Sequence, residues 1–224
     1  MLRPSIRRPL PNPDTSEAGF TIIESLIAIV VVAILLVSIA PIFVFAAANR
    51  LQARRVEIAT QAARAYVDSI RSRAVPPPRS TGTDTLQAYP PPVAAGTLTC
   101  LPANVPNSSS AAADFYCTGG TNATQTLFCV DNDGSGCSTL SYRDMIIQAV
   151  RSAPTDNAAQ GYRLGIRVYR ADAFRGTGSL QRGVKQLPFA GQGGPRAFPL
   201  LEMTTEITPA SSTFDDTCQR LGGC

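Results

Sequence analysis

The chain of 224 residues contains no histidine and no tryptophan. Without histidine there is no Ser-His-Asp triad, no Cys-His pair and no His-containing metal site, and the commonest general base is missing. None of the six cysteines precedes Cys100, and no two of them form a CxxC pair. The net charge of +4 is spread along the chain, with no dense basic cluster interleaved with aromatics, so nucleic acid is not an expected partner. There are no internal repeats. One further absence is local: from Ser25 through Asn49 there is no charged residue at all.

That uncharged run is mostly Ile, Val, Leu, Ala and Phe. A bilayer span needs about 20 apolar residues, and the run exceeds this. It also exceeds the apolar core of a secretory signal, about 7–15 residues. Arg3, Arg7 and Arg8 precede the run and Arg50, Arg54 and Arg55 follow it, so the positive-inside rule gives no orientation. The cysteines do. All six lie beyond the run, at 100, 117, 129, 137, 218 and 224, which fits an exported head in an oxidising space. Six cysteines allow 15 pairings, and sequence alone does not choose among them. The expectation is neighbour with neighbour: Cys100 with Cys117, Cys129 with Cys137, Cys218 with Cys224.

Past the span a helical pattern continues. Arg50, Arg54, Glu57, Gln61, Arg64, Asp68 and Arg71 recur at spacings of four and three and make a polar face. Leu51, Ile58, Ala62, Tyr66 and Ile70 make an apolar one. Pro76, Pro77 and Pro78 end the pattern. The prediction is one helix from about residue 21 to 75, on the order of 80 Å long at 1.5 Å per residue. Pro41 should kink or locally open it. Residues 76–113 are rich in Pro, Ser, Thr, Gly and Ala and read as loop. Thr126–Val130 is a short strand candidate, and Arg143–Ser152 reads as strand or short helix. The clearest strand is Gly161–Arg170, where Tyr162, Leu164, Ile166 and Val168 alternate with Arg163, Gly165, Arg167 and Tyr169. Leu200–Thr208 is another.

The segment Gly19-Phe20-Thr21-Ile22-Ile23-Glu24-Ser25, leading into the apolar run, resembles the class III signal of type IV pilins and pseudopilins. Four features coincide in it: a small residue at the cut, a Phe at the new end, a Glu at the right distance, and an uninterrupted span. The resemblance implies cleavage by a prepilin peptidase between Gly19 and Phe20 and methylation of the new N-terminus at Phe20. It matches Glu24 to the acidic fifth mature position and Pro41 to a proline often found in the membrane half of the helix. A carboxylate beside an apolar span needs a partner, and in a bundle of such helices the amine of a neighbour's Phe20 could supply it and set register. The plainer alternative is an ordinary signal anchor with a Glu at its edge. The stretches TIIESLIAIVVVAILLVSIAP, RLQARRVEIATQAARAYVDSIRSR and FCVDNDGSGCS further resemble the hormogonium polysaccharide secretion pseudopilins of filamentous cyanobacteria, the B type in particular. That resemblance implies a link to polysaccharide export and gliding motility.

Other signals are weaker. Asp131-Asn132-Asp133-Gly134-Ser135-Gly136 resembles the start of a calcium loop, with Asp131, Asp133 and Ser135 as oxygen ligands. Its twelfth position is Tyr142 where a Glu belongs, and Asp144 substitutes only along a different loop path. A polar turn inside a Cys129–Cys137 loop is the simpler expectation, and no other cofactor is expected. Gly191–Arg196 is a glycine-rich loop without the strand-to-helix context of a phosphate site. Asn122-Ala123-Thr124 is a chance glycosylation pattern. Arg163, Arg167 and Arg170 offer contact to acidic polysaccharide, although a solvated strand face is the plainer reading.

These readings predict an α+β, type IV pilin-like fold: a long N-terminal helix packed on a small antiparallel sheet with disulfide-tied loops. The expected divisions are a leader at 1–19, a membrane half of the helix at 20–48, its amphipathic half at 49–75, and an exported head at 76–224. The expected role is assembly, not catalysis. Partners implied by the resemblance are other pilins or pseudopilins, a prepilin peptidase and an inner-membrane assembly platform. The chain would span the inner membrane once, head in the periplasm, before joining a filament. Two alternatives stand: a type II secretion pseudopilin, and an uncut membrane-anchored binding protein.

Overall fold

The computed structural model describes residues 21–82, 85–94, 98–100, 116–118, 126–153, 157–184, 196–220 and 223–224. The chain divides into two compact units, with the boundary between Phe45 and Ala46. Helix α1, Ile22–Arg71, runs through Pro41 without interruption. In the first unit the apolar side chains of α1 are largely exposed, Ile22 being 83% exposed and Phe43 71%.

In the second unit one stripe of α1 is buried: Gln52, Ala59, Ala62, Ala63, Tyr66, Val67 and Ile70. The predicted polar face, from Arg50 to Arg71, is exposed at every position. Leu51, expected on the apolar face, is half exposed, and Gln52 lies on the packed side instead. The seam through Ala59, Ala62 or Ala63, Tyr66 and Ile70 reaches back to 52 in steps of three and four, which leaves 51 a third of a turn off it. The alanines let the helix approach the sheet closely. The helix ends at Arg71, earlier than the prolines alone require. Arg73 takes a left-handed conformation (φ 62°), and Ala74 N–H returns to Ser69 O at 2.9 Å, closing the last turn before Pro76.

Among the described residues six strands follow: β1 Val93–Ala94, β2 Leu127–Val130, β3 Met145–Ser152, β4 Tyr162–Arg170, β5 Gly178–Ser179 and β6 Leu201–Ile207. The main sheet is antiparallel in the order β2-β3-β4-β6, and β1 pairs with β5 separately. Helix α2, Phe214–Arg220, opens with a capping box: Asp216 N–H donates to Thr213 Oγ1 at 3.2 Å, and Thr213 N–H to Asp216 Oδ2 at 2.7 Å. Disulfides join Cys100 to Cys117, Cys129 to Cys137, and Cys218 to Cys224.

Both faces of the sheet are covered. On one, Phe128, Met145, Ile147, Ala149, Leu164, Ile166 and Val168 pack with the buried stripe of α1. On the other, Leu127, Cys129, Ile146 and Tyr169 pack with Phe174, Leu180 and Ala94. The second face corrects the expectation of a solvated arginine face. Arg163 is exposed, but Arg167 and Arg170 are buried. Arg167, 1% exposed, donates from Nε to Glu202 Oε1 (3.0 Å), from NH1 to Tyr89 O and Gln148 Oε1 (3.0 Å each), and from NH2 to Leu86 O. Gln148 Nε2 donates to Pro90 O at 2.8 Å, Arg182 NH1 to Gln87 O, Ala88 O and Tyr89 O, and Arg151 Nε to Pro78 O at 3.1 Å. The proline-rich segment offers carbonyls but few N–H groups, and arginines meet them. Gly165 lets this cover lie close: a Cβ there would stand 2.7 Å from Leu86 Cβ.

Replacing Arg167 by Met should destabilise the head by about 3–5 kcal/mol in urea unfolding, because Glu202 and three buried acceptors lose their donor. Burial raises the Tyr66, Tyr116 and Tyr169 hydroxyls above their ordinary range and Tyr162 to about 12. Their folded pKa values exceed the unfolded value, so the stability they contribute is complete below pH 10 and is lost as pH rises through 12. Absorbance at the phenolate band should show these four ionising together with alkaline unfolding, not before it.

Candidate functional site

Residues Gly19 and Phe20 lie outside the described residues. From Thr21 on, the start of α1 is built by its own side chains. Thr21 stands at the N-cap, where Glu24 N–H donates to its Oγ1 at 3.3 Å. Ser25 sends both its N–H (3.1 Å) and its hydroxyl (3.3 Å) to Thr21 O. Thr21-Ile22-Ile23-Glu24 thus has the sequence form of a capping box, a signal legible in the spacing of Thr21 and Glu24. Glu24 is exposed in the first turn, where a negative charge favours the helix N-terminus. Among the described residues no ion pair to its carboxylate is seen.

Behind Glu24 the helix is apolar on every side. Its most apolar window has mean hydropathy 3.2 and none of it is buried, so by length and composition this helix can cross a membrane. In water such a surface is unfavourable by about 25 cal/mol per Å². It therefore needs lipid or other helices around it. Pro41 supplies no N–H to the carbonyl of Val37, and that carbonyl is available to a neighbour or to water.

A second cluster sits on the loop between β2 and β3. Carboxylate oxygens of Asp131, Asp133 and Asp144 lie within 4.8 Å of one another. Ser135 donates its N–H and hydroxyl to Asp133 Oδ1, and Asp144 joins the two aspartates in this group. Asp131 accepts from the N–H groups of Asp133 (3.0 Å), Gly134 (2.7 Å) and Gly136 (2.8 Å), and Ser141 donates its hydroxyl to Asp133 Oδ2 at 2.8 Å. Asp144 is buried and accepts from Asn132 N–H at 3.2 Å and Ser138 N–H at 3.0 Å. These bonds hold the loop by themselves, as a polar turn would, and at the same time aim three carboxylates at one point. The donor set is all oxygen, which suits a hard divalent cation such as calcium.

Residues 14–40 match the prokaryotic N-terminal methylation motif, the signal of type IV pilins and pseudopilins. No curated protein and no solved structure matches the chain. The motif supports a type IV pilin-like protein, a class of structural subunits that meet other pilins and a prepilin peptidase. The α+β architecture, with its long N-terminal helix, antiparallel sheet and disulfide-tied loops, is consistent with the pilin fold. An N-terminal motif of this kind with an apolar helix behind it is consistent with anchoring in the inner membrane.

The carboxylates of the loop are pushed apart in pKa. Burial, then its two acidic neighbours, raise Asp144, while hydrogen bonds from Ser135 and Ser141 lower Asp133. The raised pKa of Asp144 means that its contribution to stability is complete below the unfolded value and is lost as pH rises through the folded one. Carbon-detected NMR titration should therefore place the Asp144 midpoint above the ordinary aspartate value and that of Asp133 below it.

Proposed function

We propose that the chain is a minor pilin or pseudopilin subunit of a type IV pilus-like machine. One observation supports this most: the methylation motif leads directly into a helix whose apolar surface is bare on every side. The peptidase cuts between Gly19 and Phe20, and Phe20 is methylated. The mature helix then leaves the membrane and packs among others of its kind. Glu24, exposed at the head of that helix, pairs with the amine of a neighbour's Phe20 and sets the axial stagger. An uncompensated carboxylate in an apolar bundle costs several kcal/mol, so only the register that pairs it is populated. The head, outside the membrane, faces the exterior of a thin filament. Polysaccharide export and gliding motility are the processes it serves in this reading, which rests on the sequence resemblance. Assembly of this kind uses no catalytic group.

The test is the mass of the N-terminal peptide from membrane-expressed protein, with and without the prepilin peptidase. A peptide beginning at methylated Phe20, present only with the peptidase, is expected. A chain that keeps Met1, or is cut elsewhere, would sink the reading in favour of an uncut anchored binding protein. In the same cells Glu24→Ala should be cleaved normally but recovered from sheared filaments at less than about a tenth of the wild-type amount, one lost charge pair being worth a tenfold change or more.

A second reading, a type II secretion pseudopilin, is favoured by one feature, the convergence of Asp131, Asp133 and Asp144. In this reading the loop holds calcium. Calorimetric titration with calcium chloride should then give saturable binding that Asp131→Asn and Asp144→Asn abolish, while a flat titration removes the support for this option.

A further inference from the structure

On the second face of the sheet the side chains form cross-strand rows, and the rows change in character along it. Ile146 and Tyr169 make an apolar row, and Gln148, Arg167 and Glu202 make the row that carries the buried charge. The next row is Val150, Gly165 and Thr204, and the last is Ser152, Arg163 and Glu206. Gly165 puts no side chain into its row. Leu86 of the proline-rich cover takes part of that space, since a Cβ on Gly165 would stand 2.7 Å from Leu86 Cβ and 3.0 Å from Val150 Cγ2. Beside it a cavity of about 250 Å³ remains, walled by Thr85 and Gln87 of the cover and by Ser152, Arg163 and Thr204 of the sheet.

Two kinds of surface meet in this hollow. Its floor is Leu86, Val150 and Gly165, all buried and without a polar side chain. Its walls are polar. The hydroxyls of Thr85, Ser152 and Thr204 and the carboxamide of Gln87 make no hydrogen bond among the described residues. Each of these four groups can both donate and accept. Arg163 adds donors. Glu206 stands beside it on β6, with 3.8 Å between NH2 and Oε1, so the rim carries no net charge. The neighbouring row shows the contrast. There the carboxamide, guanidinium and carboxylate of Gln148, Arg167 and Glu202 are committed to one another and to the cover.

An anion entering here meets Glu206 as well as Arg163, and a cation meets the reverse, so charge selects neither. An apolar ligand strips water from the wall groups and gives them no partner. A neutral ring bearing several hydroxyls meets both demands. Its hydroxyls take donors and acceptors from the walls, and its C–H face lies on the apolar floor. The volume is below the roughly 300–1,000 Å³ of sites for drug-sized ligands, which suits one ring. We propose that this hollow binds one ring of a neutral sugar. The site is independent of the filament reading: cleavage at Phe20 neither requires it nor reports on it.

The experiment uses the full chain in dodecylphosphocholine micelles, whose head group carries no sugar, with backbone amides and arginine Nε–H groups followed by NMR. The chain is titrated in turn with D-glucose, D-galactose and D-mannose, with sodium sulfate as the anion control. Saturable shifts at Ser152, Gly165 and Thr204 are expected with at least one sugar, in the millimolar range that so small a ligand reaches. Arg163→Gln should weaken that affinity about fivefold or more, and Thr204→Met, which fills the hollow, should abolish it. Both positions are exposed, and an unchanged Arg167 Nε–H signal reports that the face beneath them is intact. No saturable shift with any of the three sugars, saturation by sulfate alone, or wild-type affinity in either variant would overturn the proposal. The methyl glycoside of the sugar that binds separates two sources of such a ring. Retained affinity assigns it to the end of a glycan chain, and lost affinity to a free monosaccharide.

Discussion

The head depends on a mismatch between donors and acceptors in one segment. Residues 76–92 hold six prolines, so they bring carbonyls to the second face of the sheet without enough N–H groups to form a strand. Buried carbonyls without donors are costly. Arg167, at the middle of β4, resolves this by reaching through the layer to Leu86 and Tyr89 while Glu202 balances its charge. With that segment in place, Leu86 is buried close against Gly165. The helix-facing core is of the usual kind, apolar residues of alternate strand positions against a stripe of small residues. The two faces thus differ in chemistry: the helix side is mainly apolar, with the Tyr66–Tyr116 hydroxyl pair and Arg151 over the Tyr162 ring, and the other carries a buried charge, Arg167.

This difference decides what could be read from the chain alone. The long helix announces itself by composition and by the spacing of Arg50 to Arg71, and the strand at 162–170 by alternation. Arg163, Arg167 and Arg170 have one identity but different surroundings. A solvated arginine and an arginine that binds carbonyls give the same letter, and the proline-rich cover has no period that would point to the sheet. Asp144 could be read from the chain only as a substitute ligand, for a related reason. Counting along a linear loop puts Tyr142 at the twelfth position, whereas the fold brings in a carboxylate two residues later through the start of β3. Thr21 is the opposite case: its capping pattern with Glu24 stands in plain spacing, overshadowed by the motif in which it is embedded.

The start of α1 shows how one residue can serve two ends. Glu24 in the first turn favours the helix dipole wherever the chain resides, in lipid or among other helices. The same exposed carboxylate is the group that, in the proposed assembly, pairs with a neighbouring chain. A helix that begins with its own cap satisfies part of its first turn with its own groups, whatever surrounds it.

The three disulfides have sequence separations of 17, 8 and 6, and no loop overlaps another. A chain that emerges N-terminus first therefore presents its thiols in pairs, each new even-numbered cysteine finding only one unpaired predecessor. Oxidation as rapid as emergence would yield the native connectivity by order of arrival alone, with no need for an isomerase to correct it. The covalent pattern of the head is in this sense written into the direction in which the chain is delivered.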